Sequence, residues 1–250
     1  MALAGSNLLP SIQAHAQTGK TITVVAASDL KFVLEDLAQR FAQSGAASPR
    51  LIFGSSGNLA RQIQQGAPFD LFLSADEALI DRLFQAKLTQ DRGVVFGVGH
   101  LMLIAPANSP LTLPADLSSI AGLLAQVERF AIANPDYAPF GRAALQAIKS
   151  AGLYDLLAAK LVLGENVVAA TQFVVTGAAQ LGITGQALAQ SPALASMLKH
   201  SKIDSGLHAP IVMRMVLIGD ANAAARAFYL FLQRDQARAL FQRYGFGQSG

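Results

Sequence analysis

The sequence predicts an α/β protein of two lobes, and three observations carry that prediction. Apolar strands alternate with amphipathic helices along most of the chain. The 250 residues are 52% hydrophobic and only 14% charged, enough to bury a sizeable core. Two apolar strands, Leu101 to Ala105 and Pro210 to Ile218, fall where one set of βα units gives way to another. If both cross between lobes, residues 103–207 form one lobe, and residues 20–102 plus 208–250 form the other. Residues 1–19 stand apart as an N-terminal tail or truncated signal peptide. Two lobes joined by two strands enclose a cleft with a hinge, an architecture suited to closing on a small ligand.

The elements follow in order. Ile22 to Ala26 reads as a short buried strand. Leu30, Val33, Leu34, Leu37 and Phe41 then recur at the spacing of an amphipathic helix. Leu51 to Phe53 predicts a second strand, and Leu59 to Gln65 a helix stopped by Gly66. Phe69 to Leu73 predicts a third strand, and Ser74-Ala-Asp-Glu77 a capping box opening a helix from Ala75 to Phe84. Such βα succession implies a parallel sheet with helices on both faces. Past the Leu101 strand, Phe130 to Ala133 reads as a strand and Pro139 to Ser150 as a helix with Gly152 beyond its end. Val167 to Thr176 reads as a helix opened by Asn166 and closed by Gly177, and Leu181 to Thr184 as a strand. After the Pro210 strand, residues 221–244 carry two helices with Phe228, Phe231, Leu232, Leu240 and Phe241 as their core stripe.

Composition excludes several functions. A net charge of +3 is spread thinly, without the basic face that a nucleic-acid binder concentrates. Cysteine is absent, so neither a disulfide framework nor a thiolate metal site is expected. No segment offers the uninterrupted apolar run of a membrane-spanning helix. Ala14-His15-Ala16 is an A-x-A cleavage pattern, but a basic start and a long apolar stretch are missing before it. The expectation is a signal peptide truncated at its start. Thr18-Gly-Lys-Thr21 imitates the end of a phosphate-binding P-loop, yet Ala14 stands where the earlier glycine belongs, and the motif precedes a strand instead of following one.

Four turns share one design, in which a strand ends, a small polar or glycine-bearing turn follows, and a helix begins. They are Ala27-Ser28-Asp29, Gly54-Ser55-Ser56-Gly57, Ala138-Pro139-Phe140-Gly141 and Glu165-Asn166-Val167. A helix start leaves its first N–H groups unpaired and carries partial positive charge, so it binds an anion without lysine or arginine. One such turn is an ordinary N-cap; two in each proposed lobe are able to face each other across a cleft.

Catalytic constellations are weaker. His15, His100, His200 and His208 show no metal-binding spacing, and the two near the crossing strands read as structural. Ser55 and Ser56 lack a nucleophile elbow, and Gly97-Val-Gly99 lacks the third glycine of a dinucleotide fingerprint. Asp70 reads as a turn or cap residue. Arg61 and Arg142 are placed in the first turns of helices facing the cleft, where they enrich positive potential.

At these turns the chain resembles a known family. Ile22-Thr-Val-Val-Ala-Ala-Ser28 is similar to the opening strand of the periplasmic molybdate-binding proteins of ABC importers. Phe53-Gly-Ser-Ser-Gly-Asn-Leu-Ala-Arg-Gln-Ile63 and Gly66-Ala-Pro-Phe-Asp-Leu-Phe-Leu-Ser-Ala-Asp-Glu77 resemble that family closely. So do Lys160-Leu-Val-Leu-Gly-Glu-Asn-Val167 and Ala239-Leu-Phe-Gln-Arg-Tyr-Gly-Phe246, and the likeness runs from Lys20 to Gly247.

The resemblance implies a type II periplasmic binding protein fold that closes on molybdate or tungstate through neutral donors. Ser28 and Ser56 match its ligand-binding serine turns, while Phe140 and Val167 match positions donating backbone N–H from the opposite lobe. It implies a monomeric periplasmic carrier with a membrane permease as partner, no cofactor beyond the anion, no catalysis and no nucleic acid. Two departures bear on the ligand. Asp29 stands directly before Leu30, where many members have serine; the expectation is that its side chain caps its own helix and only its N–H meets the anion. Gly185 stands where some members carry a tyrosine that reaches the anion, and the resemblance implies either a looser site or one more like the tungstate-tolerant members that also lack it. Alternatives are another anion such as sulfate, phosphate or an organic anion, a cytoplasmic oxyanion-sensing effector domain, and an enzyme on the same scaffold. A sensor of that kind usually carries a basic DNA-binding segment before the first strand, where only Lys20 is found.

Overall fold

The computed structural model describes residues 22–247. The tail, its Ala14-His15-Ala16 pattern and the Thr18 to Thr21 segment lie outside the described residues. Strand β1 (Thr23–Ala27) passes through a 3-10 turn, Ser28–Leu30, into helix α1 (Lys31–Gln43). β2 (Arg50–Gly54) leads to α2 (Ser56–Gln64), and β3 (Leu71–Ser74) to α3 (Glu77–Gln85). β4 (Val94–Gly99) is separated from β5 (Leu101–Pro106) by His100 alone. Next come β6 (Phe130–Ala133), α4 (Pro139–Ser150), the one-turn α5 (Tyr154–Leu157) and β7 (Leu161–Gly164). They are followed by α6 (Val167–Val175), β8 (Leu181–Gly185), the one-turn α7 (Gln186–Ala189) and β9 (Leu198–Lys202). β10 (Ile211–Leu217) brings the chain back, and α8 (Ala223–Leu232) and α9 (Asp235–Arg243) end it.

The strands form two five-stranded sheets, ordered β2-β1-β3-β10-β4 and β7-β6-β8-β5-β9. In each, four strands run one way and a single strand runs against them: β10 is antiparallel to its neighbours β3 and β4, and β5 to its neighbours β8 and β9. The wholly parallel sheet expected from the βα pattern is therefore not what forms. The cause is the connection. Arg214 in β10 pairs with Ser74 at the carboxyl end of β3, and Leu101 in β5 pairs with Gly185 at the carboxyl end of β8. A chain entering a sheet from that end must run against the strands it joins. The crossings themselves lie at His100 and in residues 203–210, and the apolar strands expected to cross belong each to one sheet.

Helix stripes behave as their spacing predicts. Val33, Leu34, Leu37 and Phe41 of α1 are buried, while Asp36 and Arg40 pair on its outer face at 2.6 Å. Phe41 meets Phe228 of α8 with ring centroids 4.9 Å apart, which fastens the C-terminal helices over the first sheet. Burying such rings contributes of order 1.5–3 kcal/mol each. Asp70 is a tie rather than an acid: its carboxylate accepts the N–H of Thr23 at 2.8 Å and the amide of Asn222 at 3.1 Å.

Some element starts differ from expectation. α2 begins at Ser56 instead of Leu59, because Ser55 is extended and already serves as N-cap. α3 begins at Glu77 instead of Ala75. Ser74 directs its hydroxyl to the backbone of Asp76, and the cap is the Asp76 carboxylate, which accepts the N–H of Ala78 at 2.9 Å. Three strands carry little pattern in the sequence. β4 is interrupted by glycines, β7 is four residues long, and β9, reading Leu-Lys-His-Ser-Lys, is a polar edge strand.

Phe140, 4% exposed, sits where the two sheets meet. A Cβ built on Gly99 of the first sheet would lie 2.7 Å from its Cζ, and one on Gly185 of the second 2.9 Å from its Cε1. The Phe140 ring thus occupies the space that a side chain at 185 would enter. Gly185→Tyr should overpack this joint and destabilise the chain by about 1–3 kcal/mol, measured by urea unfolding. Adding Phe140→Ala should restore part of that loss. A tyrosine accepted at 185 without loss would contradict the packing.

Candidate functional site

The parallel strands of both sheets point their carboxyl ends at one region, the position where open α/β sheets bind ligands. There Ala27, Ser28, Asp29, Gly54, Ser55, Ser56 and Ala75 from the first lobe meet Ala138, Pro139, Phe140, Asn166 and Val167 from the second, around one small cavity. All five residues singled out in the sequence, Ser28, Asp29, Ser56, Phe140 and Val167, line this one space. Among the described residues no lysine or arginine lines it.

Each wall has a local cause. β1 ends into the 3-10 turn, which buries Ser28 (4% exposed) and Asp29 (2%). β2 ends at Gly54 and gives way to α2, whose first turn leaves N–H groups without intrahelical partners. α4 starts with Pro139, which has no N–H to lose, and presents the N–H of Phe140 next. Asn166 caps α6 by accepting the N–H of Ala169 at 3.1 Å, so the free N–H of Val167 stands at the cavity. Thr171 steadies that turn, donating to the Val167 carbonyl at 2.7 Å and meeting the Thr184 hydroxyl of β8 at 2.5 Å. Four helix starts therefore bring partial positive charge to one point.

The side chains show what the cavity lacks. The hydroxyl of Ser28, the hydroxyl of Ser55 and both carboxyl oxygens of Asp29 are buried without a hydrogen-bond partner in the protein. Such groups are normally satisfied, since each left unpaired costs about 1–3 kcal/mol. Ser55 is the telling case. An N-cap serine ordinarily accepts an N–H from its own helix, yet this one makes no such bond. Ser56 accepts the N–H of Ala75 at 3.0 Å, which leaves its O–H free to donate. Ser55 was visible in the Gly54 to Gly57 turn, but Ser56 was preferred there; the failed N-cap bond is a signal only coordinates carry.

Asp29 does not do what its sequence position suggested. Neither the 3-10 turn nor α1 has a side-chain cap, and the carboxyl of Asp29 faces the cavity region unpartnered instead of capping its helix. Burial pushes its pKa up to about 7, a rise that its backbone N–H bond only partly opposes.

The arginines near the cleft serve closure. Arg142 forms a salt bridge to Asp76 across the lobes. Arg61, in the second turn of α2, lies with its guanidinium 5.7 Å from the ring centre of Tyr137. Between them the N–H of Gly57 donates to the Tyr137 carbonyl at 2.9 Å. A Cβ on Gly57 would come within 2.6 Å of that oxygen, so only glycine permits the approach. His100, His200 and His208 are elsewhere. His100 occupies the crossing, its carbonyl accepting the N–H of Gln186 at 2.9 Å, and burial with the nearby Lys202 and His208 holds it below the usual imidazole range. Among the described residues no group of three His, Cys, Asp or Glu is placed to hold a metal ion, and no helix is long and apolar enough to cross a membrane.

Comparison with known proteins agrees with this geometry. Residues 22–247 match the family model described as bacterial extracellular solute-binding protein. The molybdate-binding protein ModA of Escherichia coli is 33% identical over 237 residues, covering 93% of this chain and 91% of that protein. ModA of Azotobacter vinelandii is 30% identical over 246 residues, covering 94% and 92%. The solved periplasmic molybdate-binding protein of Azotobacter vinelandii superposes with a TM-score of 0.81 at 29% identity, over 92% of this chain and 100% of that one. The sulfate-binding protein SubI of Mycobacterium tuberculosis shares the fold, with a TM-score of 0.74 at 17% identity over 90% and 86%. The chain thus has the α/β two-lobe architecture of periplasmic binding proteins and belongs to the family of bacterial extracellular solute-binding proteins.

Proposed function

We propose that this chain captures molybdate or tungstate in the interlobe cavity and delivers it to the membrane permease of an ABC importer. The observation that carries this reading is the set of buried, unpartnered oxygen atoms on Ser28, Ser55 and Asp29 gathered at four helix starts. A tetrahedral oxyanion supplies four acceptors, one for each of several fixed donors, and satisfies the hydroxyls that the protein leaves unpaired. The names of the relatives in Escherichia coli and Azotobacter vinelandii support the choice of anion.

Neutral donors suit a carrier. An anion locked by an arginine fork would be held by strong bidentate charge pairing, whereas hydrogen bonds divided between two lobes are all broken when the lobes part. The Arg142–Asp76 pair and the Gly57–Tyr137 bond lie beside the cavity and hold the lobes closed. On this reading the protein works as a periplasmic monomer, because a permease that opens the cleft must reach both lobes. It performs no catalysis, requires no cofactor and has no nucleic-acid partner. Sulfate and phosphate are smaller, and donors fixed on rigid elements cannot follow a smaller anion inward.

Calorimetric titration with molybdate, tungstate, sulfate and phosphate tests the reading. Tight one-to-one binding of the first two with little heat from the others is expected, and silence from molybdate and tungstate would overturn it. Ser28→Ala and Ser55→Ala should each weaken molybdate binding by about tenfold, the value of one hydrogen bond of about 1.4 kcal/mol, with little change in unfolding temperature. Gly57→Ala should stop the lobes short of contact and speed molybdate release in stopped-flow measurements by about tenfold or more, again from loss of at least one hydrogen bond.

A further inference from the structure

Among the described residues Asp29 is the one ionisable side chain lining the cavity, where an ionised carboxylate would repel a dianion. Both of its oxygens are buried with no other residue bonding them, and only its own backbone N–H favours the ionised form. The groups around it offer no counter-charge. On α1, Lys31 and Glu35 pair with each other at 3.5 Å near the surface. β2 brings Arg50, exposed at the end of the strand far from Gly54. β1, α6 and α7 bring no titratable residue, and Glu165 before α6 is exposed. Across the cavity, Arg142 is bound to Asp76 and Arg61 stacks on Tyr137. A carboxyl in such a setting changes role with one proton: ionised it only accepts hydrogen bonds, protonated it donates one.

We propose that Asp29 enters the oxyanion site as a neutral carboxylic acid that donates its O–H to the bound anion, so that each dianion is captured together with one proton. This rests on the oxyanion-binding reading given above. The balance is simple: dianion and ionised carboxylate come together with one proton from solvent, no covalent bond is made, and opening the cleft returns the proton. Asp29 is then both a binding residue and a specificity device. An anion that stays fully ionised and accepts at every oxygen, as molybdate and tungstate do at neutral pH, matches a donor set completed by this O–H. Burial, which pushes the group up to about 7 before any anion arrives, makes the proton easy to retain.

The test is molybdate binding by the full chain across about pH 6 to 8.5, in buffers of different ionisation heat. Affinity should fall as pH rises, by up to about tenfold per unit where the free carboxyl is ionised, and in that range binding should take up about one proton per molybdate. Asp29→Asn keeps a donor without a proton to exchange, and should bind molybdate with no pH slope and no proton uptake. Wild-type binding that neither varies with pH nor takes up protons would overturn the proposal while leaving the oxyanion reading intact. So would an Asp29→Asn variant that keeps the wild-type slope, or phosphate that binds better as pH rises by donating its own O–H to an ionised Asp29. If neither molybdate nor tungstate binds at any pH, both readings fall together. Proton uptake is measured on the unaltered chain, so the test survives a variant that folds poorly.

Discussion

A helix that starts at the carboxyl end of a parallel strand leaves its first N–H groups facing the space beyond the sheet, and much of this structure is arranged around that fact. Each lobe brings two such starts to one cavity. Their dipoles add, and serine hydroxyls at Ser28, Ser55 and Ser56 extend the donor set without adding a charge. The sheets explain why the starts converge. Both place one strand antiparallel to the other four, and that strand carries the chain to or from the cleft side. Crossing between the lobes and binding between the lobes are consequences of one topology.

Holding polar atoms unpaired in a buried place is unfavourable, and the molecule offsets it nearby. Asp76 both caps α3 and takes Arg142 from the other lobe, so the first turn of α3 is tied to closure. Gly57 lets one backbone bond bridge the lobes, and Phe140 fills the joint over Gly99 and Gly185. The two arginines near the cleft are occupied with lobe contacts and leave the cavity to neutral donors. Beside the helix dipoles, the one formal charge in the lining is that of Asp29, which burial opposes. That single group separates this cavity from one built wholly of hydroxyls and amides.

Much of this was legible in the sequence because the relevant signals are local. The period of the α1 stripe and the Asn166 cap each need only a few neighbouring residues to be read, and both stand as expected, while the Gly54 to Gly57 stretch marks the right junction but enters its helix at Ser56. The five anticipated cavity residues converge because each sits at a strand-to-helix junction, a position that pattern alone reveals. What escaped was non-local. The antiparallel course of β5 and β10 depends on how the chain returns, β9 forms only because β5 offers an edge, and Ser74 loses the capping role to Asp76 through backbone geometry. Asp29 was expected to cap its helix by the ordinary rule for acidic residues at helix starts. The rule fails because the 3-10 turn turns that side chain inward, and no short-range pattern announces such a turn.

The central claim is that an oxyanion is held between the lobes by neutral donors and nothing else. A crystal structure of the full chain grown with molybdate tests it most directly. The account predicts a tetrahedral anion in the cavity lined by Ser28, Ser55, Ser56, Phe140 and Val167, with hydroxyl and backbone N–H groups of both lobes at hydrogen-bond distance and the Arg142–Asp76 pair still formed. An anion bound elsewhere, or one held in the cleft by Arg61 or Arg142 in place of these donors, would contradict it.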